Sequence, residues 1–380
     1  MKIAFITTDN RQHDRNYAAK VPYFGTAPEA LLQGFAGMPE LEVHVVSCTQ
    51  KPMKSPEKLA ENIWFHSLYV PKVGWMRTSY QGCIRAVRRK LKVIRPDIVH
   101  GQGTERECAI SAVFSRMPNV LTIHGNMRLI AEVNKAKPLS FFWLAAHLEK
   151  TILPRTRGVV CITHYTQDAV KDLARKTWVV PNAVDESFFK VQAQPDGSRT
   201  ILCVGTISYR KNQNPFIRAL DEMAEAAKLK VIFVGPAQKE DPYVQEFLEL
   251  TAKRLWCEYA GVADREQLKA RLGGAAMLAL PSLEDNCPMV VLEAMAAGVP
   301  VLAGKVGGLP DLIEDGKNGV FCDPLDAASM RAGVSKILEN ANLAKELAAR
   351  AKVLAQERYH PRVIAQRHLE IYGEVLSTAL

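Results

Sequence analysis

Residues 275–304, AAMLALPSLEDNCPMVVLEAMAAGVPVLAG, read as one strand–loop–helix–strand unit. AAMLALPS (275–282) and VPVLAG (299–304) are short, nearly continuous apolar runs, as in strands buried on both faces. Between them lies a stretch rich in Ala, Met and Leu, all good helix formers. Asn286 is placed to cap that helix and Pro288 suits its first turn. Strand, helix and strand in this order predict a right-handed crossover and a parallel sheet. Such sheets bind ligands outside the carboxyl ends of their strands, and here the stretch places its acids. Glu284 and Asp285 stand just before the helix. Glu293 lies more than a turn inside it, among apolar residues, where a carboxylate needs a partner. The exposed N–H groups of the helix start attract a ligand oxygen or an anion.

The same alternation runs outward in both directions. Upstream in the same half stand TILCVG (200–205) and LKVIFVG (229–235). In the first half the strands are KIAFITT (2–8), LEVHVVSC (41–48), DIVHGQG (97–103), VLTIHGN (120–126), GVVCITH (158–164) and TWVVPN (177–182), with a helix over APEALLQGFAGM (27–38). The polar segment VQAQPDGSR (191–199) precedes the restart of the pattern, so the boundary falls near 182–199. The chain is expected to form two doubly wound α/β domains, 1–182 and 183–360, followed by a helix over 361–380 that Pro361 separates from the preceding helical tract.

The composition fits this picture. The chain has 380 residues, 48% hydrophobic and 23% charged, as expected of a globular protein with more than one core. The start, MKIAFITTDNRQHD, lacks the pattern of a secretory signal. The eight cysteines are scattered without a CxxC pair, which suggests a reducing, cytoplasmic setting. The net charge of +9 belongs to the first half: residues 1–180 hold 26 Lys and Arg against 14 Asp and Glu, whereas 181–380 hold 23 against 26. An anionic partner for the first half is implied.

The acids of the opening stretch are not spaced as a retaining glycosidase pair, which needs carboxyls about 5–5.5 Å apart. Carboxylates accept well from vicinal hydroxyls, which sugars and riboses present. No Asp-x-Asp motif or His pair at ligand spacing is found, so no metal is expected.

PSLEDNCPMVVLEAMAAGVPVLAGKVGGLPDLIEDGKNGVFCDP (281–324) resembles the donor-site region of family 4 glycosyltransferases of the GT-B fold: two acids separated by seven residues, then a small-residue helix and a Gly-Gly loop. VVPNAVDESFF (179–189) is similar to the family's domain-linking segment, and VGTISYRKNQNPFIRAL (204–220) to its diphosphate loop. TIHG (122–125) is similar to the segment bearing the cleft histidine, and EYAGVADREQLKARLGGAAMLALPS (258–282) to the run into the donor helix. The resemblance implies two Rossmann-like domains facing a central cleft, with 361–380 packing back on the first. It implies retaining, metal-independent transfer of a sugar from a nucleotide-diphosphate sugar to a hydroxyl acceptor. The acceptor hydroxyl attacks from the face that the diphosphate leaves, and domain closure excludes water. By position, Asp285 and the backbone of Asn286, Cys287, Pro288 and Met289 hold the donor sugar, and Glu293 holds the ribose. Asp285 stands where the family usually has Glu, which leaves Glu284 open as an alternative acid. Lys211 matches the family's diphosphate lysine. The family's arginine position is Thr206, and Arg210 stands nearby to compensate. Gly25 matches the glycine loop of the first domain, and His124 the histidine that touches the donor sugar. His100 is a weaker site of the same type.

The acceptor falls to the first half. Arg106 and Arg128 follow the strands that end near His100 and His124 and are candidates for an acceptor carboxylate or phosphate. Residues 71–96 carry eight Lys or Arg and no acid, interleaved with Trp75, Met76, Tyr80 and Ile84. Such a segment suits either an anionic membrane surface, making the chain a peripheral membrane protein, or an amphipathic helix with its apolar side on the sheet. No nucleic-acid module accompanies the charge. Cell-surface polysaccharide, glycolipid or small-glycoside synthesis would use such chemistry. The alternatives are a sugar phosphorylase or nucleotide-sugar epimerase of the same fold, and a non-catalytic nucleotide-sugar-binding protein. A dinucleotide dehydrogenase is disfavoured because no GxGxxG follows the first strand.

Overall fold

The computed structural model describes residues 1–194 and 199–378; positions 195–198 of the polar segment and 379–380 of the 361–380 helix lie outside the described residues. The chain divides into two compact units. Unit 1 is Met1–Ala183 with Pro361–Leu380, and unit 2 is Val184–His360.

Unit 1 carries eight strands: β1 Lys2–Ile6, β2 Glu42–Thr49, β3 Lys58–Ala60, β4 Ile63–Tyr69, β5 Ile98–Gln102, β6 Asn119–Ile123, β7 Val159–Cys161 and β8 Thr177–Val179. Their order is β3-β4-β2-β1-β5-β6-β7-β8, and every pairing is parallel except β3 with β4. Alternation along β1 buries both faces. Ile3 and Phe5 join one core with Val43, Val45 and Phe35; Ala4 and Ile6 join the other with Val46, Val87 and Leu91. The helix Pro361–Ser377 belongs to the first of these cores through Ile364, Ala365, Ile371, Tyr372 and Val375. It lies against the helix Thr26–Ala36 at Gly34, where a Cβ would stand 2.2 Å from the Pro361 carbonyl oxygen. Any larger residue at position 34 would push the helices apart.

Unit 2 has six parallel strands: β9 Arg199–Val204, β10 Leu229–Val234, β11 Cys257–Tyr259, β12 Met277–Leu280, β13 Val301–Gly304 and β14 Val320–Cys322, in the order β11-β10-β9-β12-β13-β14. One core, containing Ile201, Phe216, Phe233, Phe247 and Met277, fills the space beneath its helices.

Both sheets reverse direction of growth beside their first strand. In unit 1 the chain adds β2 and β4 on one side of β1 and then crosses to β5 on the other. In unit 2 it adds β10 and β11 beside β9, then crosses to β12. The loops leaving β1 and β5, and those leaving β9 and β12, diverge there and open a crevice in each sheet. Four strands escape the alternation read from sequence: β3, β4, β11 and β14. Three of them have only three residues, and β4, IWFHSLY, mixes aromatic and polar side chains.

Candidate functional site

The crevice of unit 2 is built by two loops. After β9, Gly205 adopts φ +154°, and Gly235 packs so closely that a Cβ there would stand 2.1 Å from the Gly205 carbonyl oxygen. A one-turn 3-10 helix, Tyr209–Lys211, follows. After β12 comes the segment 281–288. The two loops are knitted together: Leu283 N donates to the Arg210 carbonyl (2.8 Å), and Arg210 Nη1 donates to the Glu284 carbonyl (2.9 Å).

This brings the acids and bases into one cluster. Lys211 Nζ lies 2.5 Å from Asp285 Oδ2, with Arg210 Nη1 3.6 Å from Asp285 Oδ1 and 3.2 Å from Glu284 Oε2. Asp285 is 6% exposed, whereas the Glu284 side chain is half-exposed. The Asp285 backbone is clamped too. Gly308 N donates to its carbonyl (2.9 Å), and Gly307, at φ +54°, comes so near that a Cβ would stand 1.9 Å from that oxygen. Thr206 is exposed, and its carbonyl accepts from Gln213 Nε2 at 3.1 Å. Gln213 Oε1 in turn accepts from Ser208 N at 3.3 Å, so this one amide laces the loop from both sides.

The helix that follows spans Met289–Ala297 and ends at Gly298, φ +74°. Its start differs from expectation. Asn286 does not cap it; Pro288 holds the cap position with an extended backbone and no side-chain cap. Pro288 has no N–H to offer, and with Cys287 buried the chain enters the helix later than an Asn cap would allow. Asn286 therefore stands before the cap, beside Asp285. Glu293 is 5% exposed, and burial pushes its carboxyl up to about 7; Arg265 pulls it down and Asp185 adds to the rise. Arg265 and Asp185 are themselves ion-paired, and Asp185 also caps the short helix Glu186–Phe189 through Ser187 N (2.8 Å). Neither was singled out from sequence. The available signal was the Val-Asp of VVPNAVDESFF, but its partner lies 80 residues on.

The crevice of unit 1 holds a cavity of about 230 Å³ lined by Thr8, Asn10, His13, Gln102, Glu105 and Arg106. Arg106 Nη2 lies 2.8 Å from His13 Nδ1. Burial raises the Glu105 carboxyl, which accepts from Gly125 N at 3.2 Å. His124 follows β6, and its Nε2 lies 2.9 Å from Gln102 Oε1. Burial lowers its pKa to about 4, opposed by a hydrogen bond with the Asn182 side chain, so the ring is neutral near pH 7. His100 is fully buried and hydrogen-bonds to Tyr372, Thr122 and Gln102. Gly25 sits at the cap of the helix Thr26–Ala36 in ordinary extended backbone, with room for a side chain. Arg128 is engaged elsewhere. Its guanidinium donates to the Ala169 carbonyl and stands 3.4 Å from the buried Glu149, which also accepts from Thr104 Oγ1 (2.6 Å) and Met127 N (2.9 Å).

In the basic segment, Trp75, Tyr80, Ile84, Val87 and Leu91 are buried in the core of unit 1. The helix Gln81–Ile94 thus turns its apolar side inward and leaves Arg85, Arg89 and Lys92 exposed. Trp75 and Tyr80 are not available to a surface. Among the described residues, no helix is long and apolar enough to cross a membrane, and no group of three or more His, Cys, Asp or Glu is placed to hold a metal ion.

Comparison with known proteins decides the family. Residues 184–354 match the model of glycosyl transferases group 1, and residues 31–188 match that of glycosyltransferase family 4. The chain belongs to the family 4 glycosyltransferases. A glycogen synthase of Mycobacterium tuberculosis is 24% identical over 321 residues, 79% of this glycosyltransferase and 75% of that chain. The 2-deoxystreptamine glucosyltransferase of Streptomyces kanamyceticus is 24% identical over 378 residues, 91% and 94% of the two chains. An uncharacterized glycosyltransferase of Methanocaldococcus jannaschii is 29% identical over 177 residues, 47% of this glycosyltransferase and 45% of that one. The fold is that of sucrose-phosphate synthase from Thermosynechococcus elongatus (TM-score 0.80, 18% identity, all of both chains). It is also that of Anabaena HepE in complex with UDP (TM-score 0.72, 18% identity, 98% of this chain and 100% of that one). The family 4 glycosyltransferase is thus a GT-B enzyme with a doubly wound sheet in each unit.

Proposed function

We propose that this glycosyltransferase moves a sugar, with retention and without a metal, from a nucleotide-diphosphate sugar bound to unit 2 onto a hydroxyl acceptor bound to unit 1. The observation that carries the reading is the Lys211–Asp285 pair at the crevice of unit 2, one loop away from the buried Glu293. Expelling a nucleoside diphosphate develops negative charge. Lys211 is the group poised to meet it, with Arg210 behind, and the helix start at Met289 adds the positive end of its dipole. Asp285 orients the Lys211 ammonium and offers its other oxygen to a sugar hydroxyl. Of the two neighbouring acids its burial and clamped backbone favour it over the half-exposed Glu284. Glu293, once ionised, accepts from the ribose hydroxyls. Asn286, Cys287, Pro288 and Met289 form the wall of the sugar subsite, and Thr206 leaves the Gly205 loop open to phosphate.

On unit 1, the cavity beside Arg106 suits a polar acceptor, with Arg106 and His13 available to an anionic group and Glu105 to a hydroxyl. Arg128 is assigned to holding Glu149 instead. The neutral His124 contributes a hydrogen bond to the sugar, not a proton. The acceptor hydroxyl attacks on the side the diphosphate leaves, and a phosphate oxygen takes its proton. The protein supplies position and charge. The exposed arginines of the helix Gln81–Ile94 supply attraction to an anionic surface, such as a membrane that presents the acceptor.

The test is thermal stabilisation by UDP-, GDP-, ADP- and dTDP-sugars on wild type and Glu293→Ala, UDP first because HepE is complexed with it. One nucleotide class stabilising the wild type alone supports the reading. Equal stabilisation of both proteins overturns the role of Glu293.

A further inference from the structure

Residues 10–23 leave unit 1 as a loop after β1 and return to their starting point: Asn10 N donates to the Tyr23 carbonyl at 2.8 Å. The stem of this loop is TDNRQH (8–13). Thr8, Asn10 and His13 line the cavity of about 230 Å³ in the unit 1 crevice. Asp9 and Arg11, which alternate with them, are fully buried, each 0% exposed. A buried arginine in the stem of a surface loop needs an account of what its charge and its five N–H donors meet.

The Arg11 guanidinium is engaged on every side. Nε donates to the Asp9 carboxylate at 3.1 Å, and Nη2 to Asp9 Oδ2 (2.7 Å) and Ser55 Oγ (2.8 Å). Nη1 faces three carbonyls, those of Ala19 (2.9 Å), Lys20 (3.2 Å) and Lys54 (3.0 Å). One planar fork therefore holds the stem of the loop, its returning limb and the segment between β2 and β3. Asp9 Oδ1 also accepts from Arg11 N at 3.1 Å and caps the short helix Asn10–His13. Gln12 Oε1 accepts from Gln50 N at 2.8 Å and ties the stem to the same neighbourhood. A lysine carries its three donors on one nitrogen and does not span these acceptors.

On the cavity side of the stem, His13 Nδ1 lies 2.8 Å from Arg106 Nη2. Arginine only donates, so in the neutral ring Nδ1 carries the lone pair and the proton sits on Nε2. Among the described residues Arg106 has no carboxylate within ion-pair distance. We infer that Arg11 is a positioning residue for this cavity: by closing the 10–23 loop from its buried side it fixes where His13 meets Arg106, and so readies the two side chains for an oxyanion on the acceptor. A buried ion pair adds little net stability over apolar side chains of the same size; what this one adds is a fixed place for Asn10 and His13. The clasp stands on its own hydrogen bonds, and its effect on the acceptor rests on the role proposed above for the cavity.

The experiment compares wild type with Arg11→Lys. The probe is inorganic phosphate, titrated into 15N-histidine-labelled protein, with the His13 signal assigned by its loss in His13→Asn. Wild type should show a saturable shift of His13, and Arg11→Lys should need about tenfold more phosphate, the loss of one charge-assisted hydrogen bond. Exchange of the Asn10 amide, bound to the Tyr23 carbonyl, should quicken about tenfold in the variant. Thermal stabilisation by UDP-glucose should stay the same, because the donor belongs to unit 2. Should Arg11→Lys fold poorly, Asp9→Asn with Arg11→Met removes the pair without stranding a buried charge, and the same results are expected. Unchanged Asn10 exchange overturns the clasp. Faster exchange with phosphate affinity unaltered overturns the positioning role, and an equal loss of UDP-glucose stabilisation overturns a role confined to the cavity. No effect of phosphate on His13 in wild type sinks the acceptor reading of the cavity instead, and the Asn10 exchange then decides the clasp by itself.

Discussion

At the crevice of unit 2, Arg210, Lys211, Glu284 and Asp285 meet within ion-pair distance. At the crevice of unit 1, the groups behind the cavity are two neutral imidazoles, His100 and His124, with the Gln102 amide in contact with both. The topology that produces the two places is the same, a sheet that reverses its growth beside its first strand. On the function proposed above, the contents differ because the tasks differ. A departing diphosphate must be met by fixed positive charge, and a cation held ready in a dry site needs a carboxylate beside it meanwhile. A hydroxyl or sugar carries no charge. What orients it is a neutral hydrogen-bonding group, and a charged histidine there would be costly to bury.

The comparison can be broken first at its charged end. Lys211→Met should lower kcat by about 10²–10³-fold, the range for losing one electrostatic stabiliser of a developing anion. It should do so with the fold intact, because the loop is laced independently by Gln213. Steady-state release of nucleoside diphosphate reads it. A loss confined to KM would make Lys211 a binding group only. Next in size, His124→Asn should lower kcat by about 10-fold to 100-fold, and the wild-type rate should show no ionisation of this histidine between pH 5 and 8. A rate that follows a group near pH 6.5 and loses that dependence in His124→Asn would contradict a neutral ring.

Glu293→Gln sharpens the comparison in two opposite directions. Its carboxyl titrates near 7 in the folded protein against 4.5 in the unfolded chain. Unit 2 therefore loses stability as pH rises from 4.5 to 7, while the unfolded chain ionises and the folded one resists. The variant should raise the melting temperature of the free enzyme at pH 8 by about 2–4 °C and abolish stabilisation by the donor. Wild-type donor affinity should weaken as pH falls below about 7.

The two units should also respond to acid in opposite senses. Burial lowers His66, His124 and His368 to about 4 and holds His100 well below the 6.5 of free histidine. The stability they confer is present above pH 6.5 and lost as pH falls toward 4. Glu105 and Glu107 of unit 1 act the other way, but are outnumbered. In unit 2 Glu293 gains over the same interval, and Glu246, held low by Arg218, loses only under stronger acid. Hydrogen exchange corrected for intrinsic rates, at pH 7.5 and 5.5, should show β1 and β5 losing protection relative to β9 and β12. Equal changes would break the contrast. The smallest effect is expected at the surface. Arg85→Glu with Arg89→Glu should weaken binding to anionic vesicles, at about 1 kcal/mol per charge, with transfer to a soluble acceptor unaltered.

Much of this was legible in the chain. Buried parallel strands are short apolar runs, so β1, β2, β5, β6, β9, β10, β12 and β13 announce themselves. The acids and bases of unit 2 lie in two short segments, SYRKN and LEDNCP, each conspicuous at a strand end. What escaped is whatever depends on a distant partner. Gln102 is one polar residue in HGQG until His100 and His124 are placed around it. Asp185 and Arg265 look like ordinary helix-start residues until the fold pairs them beneath Glu293. Asn286 looked like a cap because its residue type fits. The proline two positions on, with φ fixed and no N–H, moved the helix start. The aromatics at 75 and 80 suited either a surface or the core, because sequence does not say which side of an amphipathic helix meets the sheet.

The contact of Gly34 with Pro361 ties together segments made far apart in time. Unit 2 is continuous in sequence and can close as soon as residue 360 has left the ribosome. Unit 1 emerges first, but the side chains that complete one of its cores arrive only with residues 361–377. At synthesis rates of about 5–20 residues per second, its open face waits for the whole of unit 2 to be translated. The part of the enzyme that starts first is finished last, so a chain cut after residue 360 should hold a closed unit 2 and a unit 1 whose Phe35 lacks the cover of Tyr372 and is open to chaperones.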